Sequence, residues 1–117
     1  MIKPVIWVSG AKKEFSELPH SVQGDFGHGL YMAQKGEKAS FAKPLKGFGG
    51  AGVLELRDNL DGETYRAVYT VQFQGTVYVL AAFHKKAKRG IDLPQHEKEL
   101  IQQRLKDARR MYEGGAG

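Results

Sequence analysis

The chain contains no cysteine, which excludes a disulfide scaffold and any thiolate ligand or nucleophile. Long hydrophobic runs are missing too. The most apolar stretch, Val77–Phe83, has seven residues, against the roughly 20 that a membrane-spanning helix needs. The N-terminal MIKPVIWVSGAKKEF has too short an apolar stretch for a secretory signal. His20, His28, His84 and His96 never fall at an i, i+4 ligand spacing. There is no HExxH, no clustered carboxylate motif and no nucleophile elbow. The glycine-rich KGFGGAG of residues 46–52 lacks the closing Lys-Ser/Thr and precedes a strand, so it is not a nucleotide-binding loop. These absences leave a soluble, intracellular protein with no metal, no other cofactor and no membrane partner. It is expected to be one domain over residues 1–117, with 114–117 as a flexible tail.

What is present is an ordinary globular composition, 41% hydrophobic and 26% charged over 117 residues, with a formal net charge of +5. Residues 91–117 carry five Lys/Arg and five Asp/Glu, so the excess comes from the preceding 90 residues. It is densest at His84, Lys85, Lys86, Lys88 and Arg89, directly after the apolar run. A basic edge of this kind suits phosphate contact with a polyanionic partner.

The pattern predicts an α+β domain. Pro4–Ser9 reads as a strand, AKKEFSEL as a helix that Pro19 ends, and His20–Lys35 as a second helix with Val22, Phe26, Leu30 and Ala33 inward. Gly24, Gly27 and Gly29 each cost that helix roughly 1 kcal/mol relative to alanine, so it must lean on packing. Glu37–Gly52 reads as a loop. Val53–Asp58, Thr64–Phe73 and Thr76–Phe83 read as an antiparallel meander, its first turn at Asp61-Gly62 and its second at Gln74-Gly75. Asp92 and Pro94 stand where a cap and a first-turn proline belong. A C-terminal helix, Pro94–Tyr112, packs through Leu100, Ile101, Leu105 and Ala108, with Lys98, Glu99, Gln102, Lys106 and Asp107 on its solvated side. The expected sheet has about four strands, with two N-terminal helices on one face and the C-terminal helix besides.

Side chains alternate across a strand, so Tyr65, Ala67, Tyr69, Val71 and Phe73 point to the core, and Leu54 and Leu56 join them. The opposite face gathers Glu55, Arg57, Arg66, Phe83 and Lys85. With a two-residue turn at Asp61-Gly62, Arg57 lies directly opposite Arg66, and like charges there are destabilising unless something neutralises them. Two guanidiniums, an ammonium, a carboxylate and a ring suit phosphodiester chemistry on RNA, whose 2′-OH is its own nucleophile.

The ordered set Lys43-Pro-Leu-Lys46-Gly, Leu54-Glu-Leu-Arg57, Tyr65-Arg-Ala-Val-Tyr69 and Val79-Leu-Ala-Ala-Phe83-His-Lys85-Lys86 resembles the RelE superfamily of toxin endoribonucleases, on its HigB-like, phage-derived branch. The resemblance implies a cytoplasmic, metal-independent mRNA interferase of a type II toxin–antitoxin system, acting on mRNA at the ribosome and so inhibiting translation. It implies a cognate antitoxin, often a helix-turn-helix protein, with the toxin monomeric alone and oligomeric in the complex. Carried over, Arg66, Arg57, Glu55 and Lys85 are catalytic, while Lys46, Phe83, His84, Lys86, Lys88 and Arg89 bind RNA. The family often places a Tyr or His near the C-terminus as proton donor; here His84, His96 and Tyr112 are the candidates. Two other readings use the same basic face: a non-catalytic RNA- or antitoxin-binding relative, and a phage accessory protein.

Overall fold

A computed structural model describes residues 2–48, 52–86 and 93–114, with Lys85 and Lys86 described by backbone alone. The elements run β1 (Val5–Trp7), α1 (Ala11–Ser16), α2 (His20–Gln34), β2 (Ala42–Pro44), β3 (Val53–Leu60), β4 (Glu63–Thr70), β5 (Val77–Lys86) and α3 (Gln95–Glu113). They form one five-stranded sheet in the order β1-β5-β4-β3-β2. β1 lies parallel to β5 and the other pairings are antiparallel. The fifth strand, β2, arises inside the expected loop. Its three residues include two exposed ones and an edge proline, too short for alternation to show, and its identity depends on pairing with Leu54–Leu56. The proline is tolerated because an edge strand need not donate on its outer side.

The β3–β4 hairpin closes as the sequence predicts. Asp61 and Gly62 have φ of 52° and 78°, the pair of positive values that a type I′ turn requires. The register places Asp58 opposite Tyr65 and Arg57 opposite Arg66. The β4–β5 connection is longer than a two-residue turn, since β4 ends at Thr70 and β5 begins at Val77. Thr70 pairs with Tyr78, one residue off the expected register. A bulge between Val68 and Tyr69 then shifts the register back, so that Arg66 faces Phe83 as expected. The extra residue is Leu80; it and Ala81 both pack on the same side. Beyond Thr70, Val71 is exposed and Phe73 crosses to the other face, so neither belongs with Tyr65, Ala67 and Tyr69.

Each face of the sheet is covered. Val22, Phe26, Leu30 and Ala33 of α2 pack with Leu56, Ala67, Tyr69 and Val79. On the opposite face Ile101 and Ala108 of α3 pack with Val68, Tyr78, Leu80 and Ala81. The buried residues of α3 are Glu97, Ile101, Arg104 and Ala108. Leu100 and Leu105 are half-buried, so the core seam runs through Ile101 and Ala108 rather than through the leucines. Pro94 is the N-cap itself, its carbonyl accepting from the amides of Glu97 and Lys98 at 3.0 and 3.1 Å. Asp92, expected as the cap, lies outside the described residues, as do 115–117 of the expected tail.

Arg104 does what a leucine in its place could not. Its Nη1 and Nη2 each donate to a carboxylate oxygen of Glu14 at 2.8 Å, and Nη1 also donates to the Leu80 carbonyl at 2.9 Å. Glu14 in turn accepts from the Ala82 amide at 3.2 Å. β1 pairs with β5 only as far as Val79. The ion pair therefore takes over the backbone groups of β5 that β1 leaves behind, and it binds α1, β5 and α3 together.

The glycines of α2 divide by environment. A Cβ on Gly29 would come within 2.8 Å of a Leu56 methyl and 3.2 Å of Phe41, whereas Gly24 and Gly27 have nothing within 4 Å. Gly27→Ala is expected to raise stability by roughly 0.5–1 kcal/mol through helix propensity. Gly29→Val is expected to lower it by roughly 1–3 kcal/mol through overpacking; urea unfolding reads both. Arg104→Ala is expected to cost on the order of 3 kcal/mol, because a carboxylate and a strand edge lose their partner together. The double variant Glu14→Leu/Arg104→Met should recover part of that loss but not all of it, since the Ala82 and Leu80 backbone groups stay unpartnered.

Candidate active site

Strand alternation puts Glu55 and Arg57 of β3 on the side that Arg66 of β4 shares. Facing arginines repel, and Glu55 resolves the conflict. Arg57 Nη2 donates to Glu55 Oε1 at 2.7 Å, and Arg66 Nη1 lies 3.3 Å from Oε2. One carboxylate thus holds two guanidiniums side by side. Glu55 and Arg66 are 6% and 5% exposed, while the Arg57 side chain is 31% exposed. Burial makes this contact stronger than an ordinary surface ion pair and makes removal of any one member costly.

The arginines are buried because the face is not open. α3 covers its far half, and β2 runs into Leu45 and Lys46 over its near half, with the Leu45 amide bonded to the Val53 carbonyl at 2.9 Å. Between them lies a cleft of about 480 Å³ lined by Leu45, Lys46, Gly47, Arg57, Arg66, Leu93 and Lys98. Lys46 is therefore brought to the same cleft as Arg57 and Arg66. Lys98 was expected on the solvated side of α3, and its place in the cleft was not visible in the sequence. The helix periodicity that identifies Ile101 does suffice to put Lys98 one turn before it on the same flank.

The other expected residues are distributed differently. Phe83 is half-buried against the α3 core, opposite Arg66. His84 is opposite Tyr65, stacked on its ring at 4.6 Å and paired with Glu63. It therefore sits on the α2 side of the sheet, away from Arg66, because adjacent strand residues point to opposite faces. Lys85 and Lys86 hold register positions opposite Thr64 and Glu63. Lys88 and Arg89 lie outside the described residues. His96 and Tyr112 are exposed and do not line the cleft. Among the described residues no group of three or more histidines or carboxylates is placed to hold a metal, and no helix is long and apolar enough to cross a membrane.

The chemistry open to this cleft is that of an anion site. Guanidiniums are suited by their shape and charge to phosphate oxygens. Both Glu55 oxygens are turned to guanidiniums, so Glu55 orients Arg57 and Arg66.

Arg57 also borders a second cavity, of about 340 Å³, lined by Asp25, His28, Phe41 and Asp58. Burial raises the Asp58 carboxyl above its ordinary value of 3.8, and a side-chain hydrogen bond to Asp25 and the charge of Asp25 add to the effect. The folded protein then binds a proton more tightly than the unfolded chain. Stability from this group is full below pH 3.8 and falls as pH rises through the raised value. Asp58→Asn, which cannot ionise, is expected to remove that fall, as urea unfolding between pH 3 and 8 will measure.

Residues 13–106 match the family described as phage-derived protein Gp49-like. No curated protein matches the chain. Among solved structures, a mutant of the E. coli toxin RelE in the free state is 18% identical with a TM-score of 0.59, covering 92% of this chain and 98% of that one. The isolated E. coli RelE toxin is 20% identical with a TM-score of 0.55, covering 86% and 97%. A RelBE2 toxin–antitoxin complex of Mycobacterium tuberculosis is 19% identical with a TM-score of 0.49, covering 73% and 100%. The chain therefore belongs to the Gp49-like family of phage-derived proteins, and its fold is that of the RelE toxins.

Proposed function

We propose that the protein is the toxin of a type II toxin–antitoxin pair and cuts mRNA on the ribosome without a metal. The observation that carries this reading is the Arg57–Glu55–Arg66 cluster buried at the wall of a cationic cleft. The RelE-like fold and the sequence resemblance support it.

In this reading the scissile phosphate lies on Arg57 and Arg66. The 2′-OH attacks phosphorus, the P–O5′ bond breaks, and the products are a 2′,3′-cyclic phosphate and a 5′-hydroxyl. Two positively charged forks stabilise the dianionic phosphorane more than the monoanionic substrate, which is the condition for acceleration. Glu55 keeps the forks oriented. The 2′-OH proton passes to the lone pair of a lysine in its neutral amine form, Lys46 of the cleft wall or Lys85. The leaving 5′-oxygen takes a proton from the other lysine in its ammonium form or from water. Phe83 gives a ring edge for a neighbouring base, and Lys86, Lys88 and Arg89 extend the cationic track along the RNA. The partner that restrains the toxin is a cognate antitoxin with a DNA-binding helix-turn-helix, and the pair works in the cytoplasm.

Among the described residues no histidine lines the cleft, which favours a second reading, a relative that binds RNA or antitoxin without cutting. One variant separates them. Arg66→Lys keeps the charge and loses the fork, so an enzyme is expected to lose cleavage by about 10²-fold or more while folding and ribosome association stay near the parent. Primer extension on translating ribosomes measures the first and sedimentation the second. Equal cleavage by Arg66→Lys and parent, or abolition of cleavage by chelator, overturns the metal-free arginine mechanism.

A further inference from the structure

We infer that a cavity at the C-terminal end of α2 takes one carboxylate side chain from a peptide segment of a partner protein. The Tyr69 hydroxyl and the ammonium groups of Lys3 and Lys38 hold it. Tyr69 packs on the α2 face of the sheet, so this pocket is separate from the cationic cleft on the α3 face.

Tyr69 is the starting observation. It is 1% exposed, its hydroxyl has no hydrogen-bond partner among the described residues, and it lines a cavity of about 260 Å³. Phenylalanine would fill the same core position without leaving a buried hydroxyl unsatisfied. The end of α2 does not supply the missing acceptor. Its last four carbonyls, those of Tyr31, Met32, Ala33 and Gln34, already accept from the amides of Lys35, Glu37, Gly36 and Lys3. Burial pushes the Tyr69 hydroxyl up to about 12, so at neutral pH it keeps its proton and stands as a donor. An oxygen brought by another molecule completes it.

Two lysines select a negatively charged oxygen. The Lys3 amide donates to the Gln34 carbonyl at 3.0 Å, and Gln34 Nε2 donates to the Lys3 carbonyl at 2.7 Å. These bonds pin Lys3 to the helix end. Gly36, with φ of 82°, turns the chain back there, its amide on Ala33 and the Glu37 amide on Met32. That turn brings Lys38 to the same cavity as Lys3. Among the described residues no carboxylate lies within ion-pair distance of either lysine, and Glu37, also at the cavity, pairs with Lys35 at 3.9 Å.

Size and surroundings identify the owner of the carboxylate. About 260 Å³ falls below the roughly 300–1,000 Å³ of pockets for whole ligands and suits a single side chain. Leu54 and Val71 give the cavity apolar walls. Val71 and Ile2, the chain neighbour of Lys3, are exposed at 36% and 48%. Apolar surface beside unpaired cations complements a segment in which a Glu or Asp stands between apolar residues.

The test titrates three probes into the full-length protein and follows its NMR signals: acetyl-Ser-Leu-Glu-Leu-Ser-amide, the same peptide with Gln for Glu, and sodium acetate. The Glu peptide is expected to shift the signals of Lys3, Lys38 and Tyr69, and the Gln peptide to bind about tenfold more weakly. Tyr69→Phe and the exposed Lys38→Gln should each weaken the Glu peptide several-fold. Lys98→Gln, a change in the cationic cleft, should leave it unaltered. Equal binding of the two peptides, or full affinity in Tyr69→Phe, overturns the inference. So does a loss in Lys98→Gln as large as in Lys38→Gln, which would put the peptide in the cleft. Acetate binding as tightly as the Glu peptide overturns the peptide occupant in favour of a free anion.

Discussion

The contact between Arg104 and Glu14 ties the layers of this protein together. The sheet is wider at β5 than β1 can cover, and a short strand followed by a short helix leaves backbone groups exposed at that edge. Glu14 and Arg104 meet there, 90 residues apart in sequence, and between them serve an amide and a carbonyl of β5. α3 is thereby fixed in rotation as well as in position. A helix seated by Ile101 and Ala108 alone could turn about that seam. Four hydrogen bonds from one guanidinium–carboxylate unit remove that freedom. The wall of the cationic cleft inherits its shape from this constraint.

A second ionic unit, Arg57–Glu55–Arg66, obeys a different logic. Two facing arginines are a poor choice for a stable sheet, and a pair of apolar residues would pack there at less cost. Glu55 makes the arrangement tolerable and leaves it with an excess of positive charge next to a space. The first unit spends its hydrogen bonds on the backbone of β5, whereas the second stands at the wall of a cleft.

The parts of this architecture that were legible in the sequence are those fixed by short-range rules. The Asp61-Gly62 turn and two-residue alternation were enough to put Arg57 opposite Arg66 and Glu55 beside them. The Arg66–Phe83 pairing emerged correctly because a longer loop and a bulge offset one another in register. Features set by long-range packing were illegible. β2 exists only as the partner of β3. The burial of Arg66 depends on α3 folding over its face. Nothing in the sequence sets Arg104 apart from the other charges of α3, and Lys98 was expected on its solvated side, because sequence gives the period of a helix but not what stands across from it. His84 is a different case: alternation already assigned it to the far face, and its membership of a basic run obscured that.

The β5 edge also bears on how the chain behaves among its own copies. A strand with free amides and carbonyls along one side is a template on which another chain can add. Past Val79, among the described residues, no further strand of the sheet covers β5 on that side, which would make it such a template. Leu80 bulges out of the ladder there, which bends and twists the strand. The carboxylate of Glu14 and the guanidinium of Arg104 occupy hydrogen-bonding positions that an incoming backbone would need. A basic, sheet-rich protein is thus protected at this edge from growing into a larger sheet by the same two side chains that hold its last helix in place.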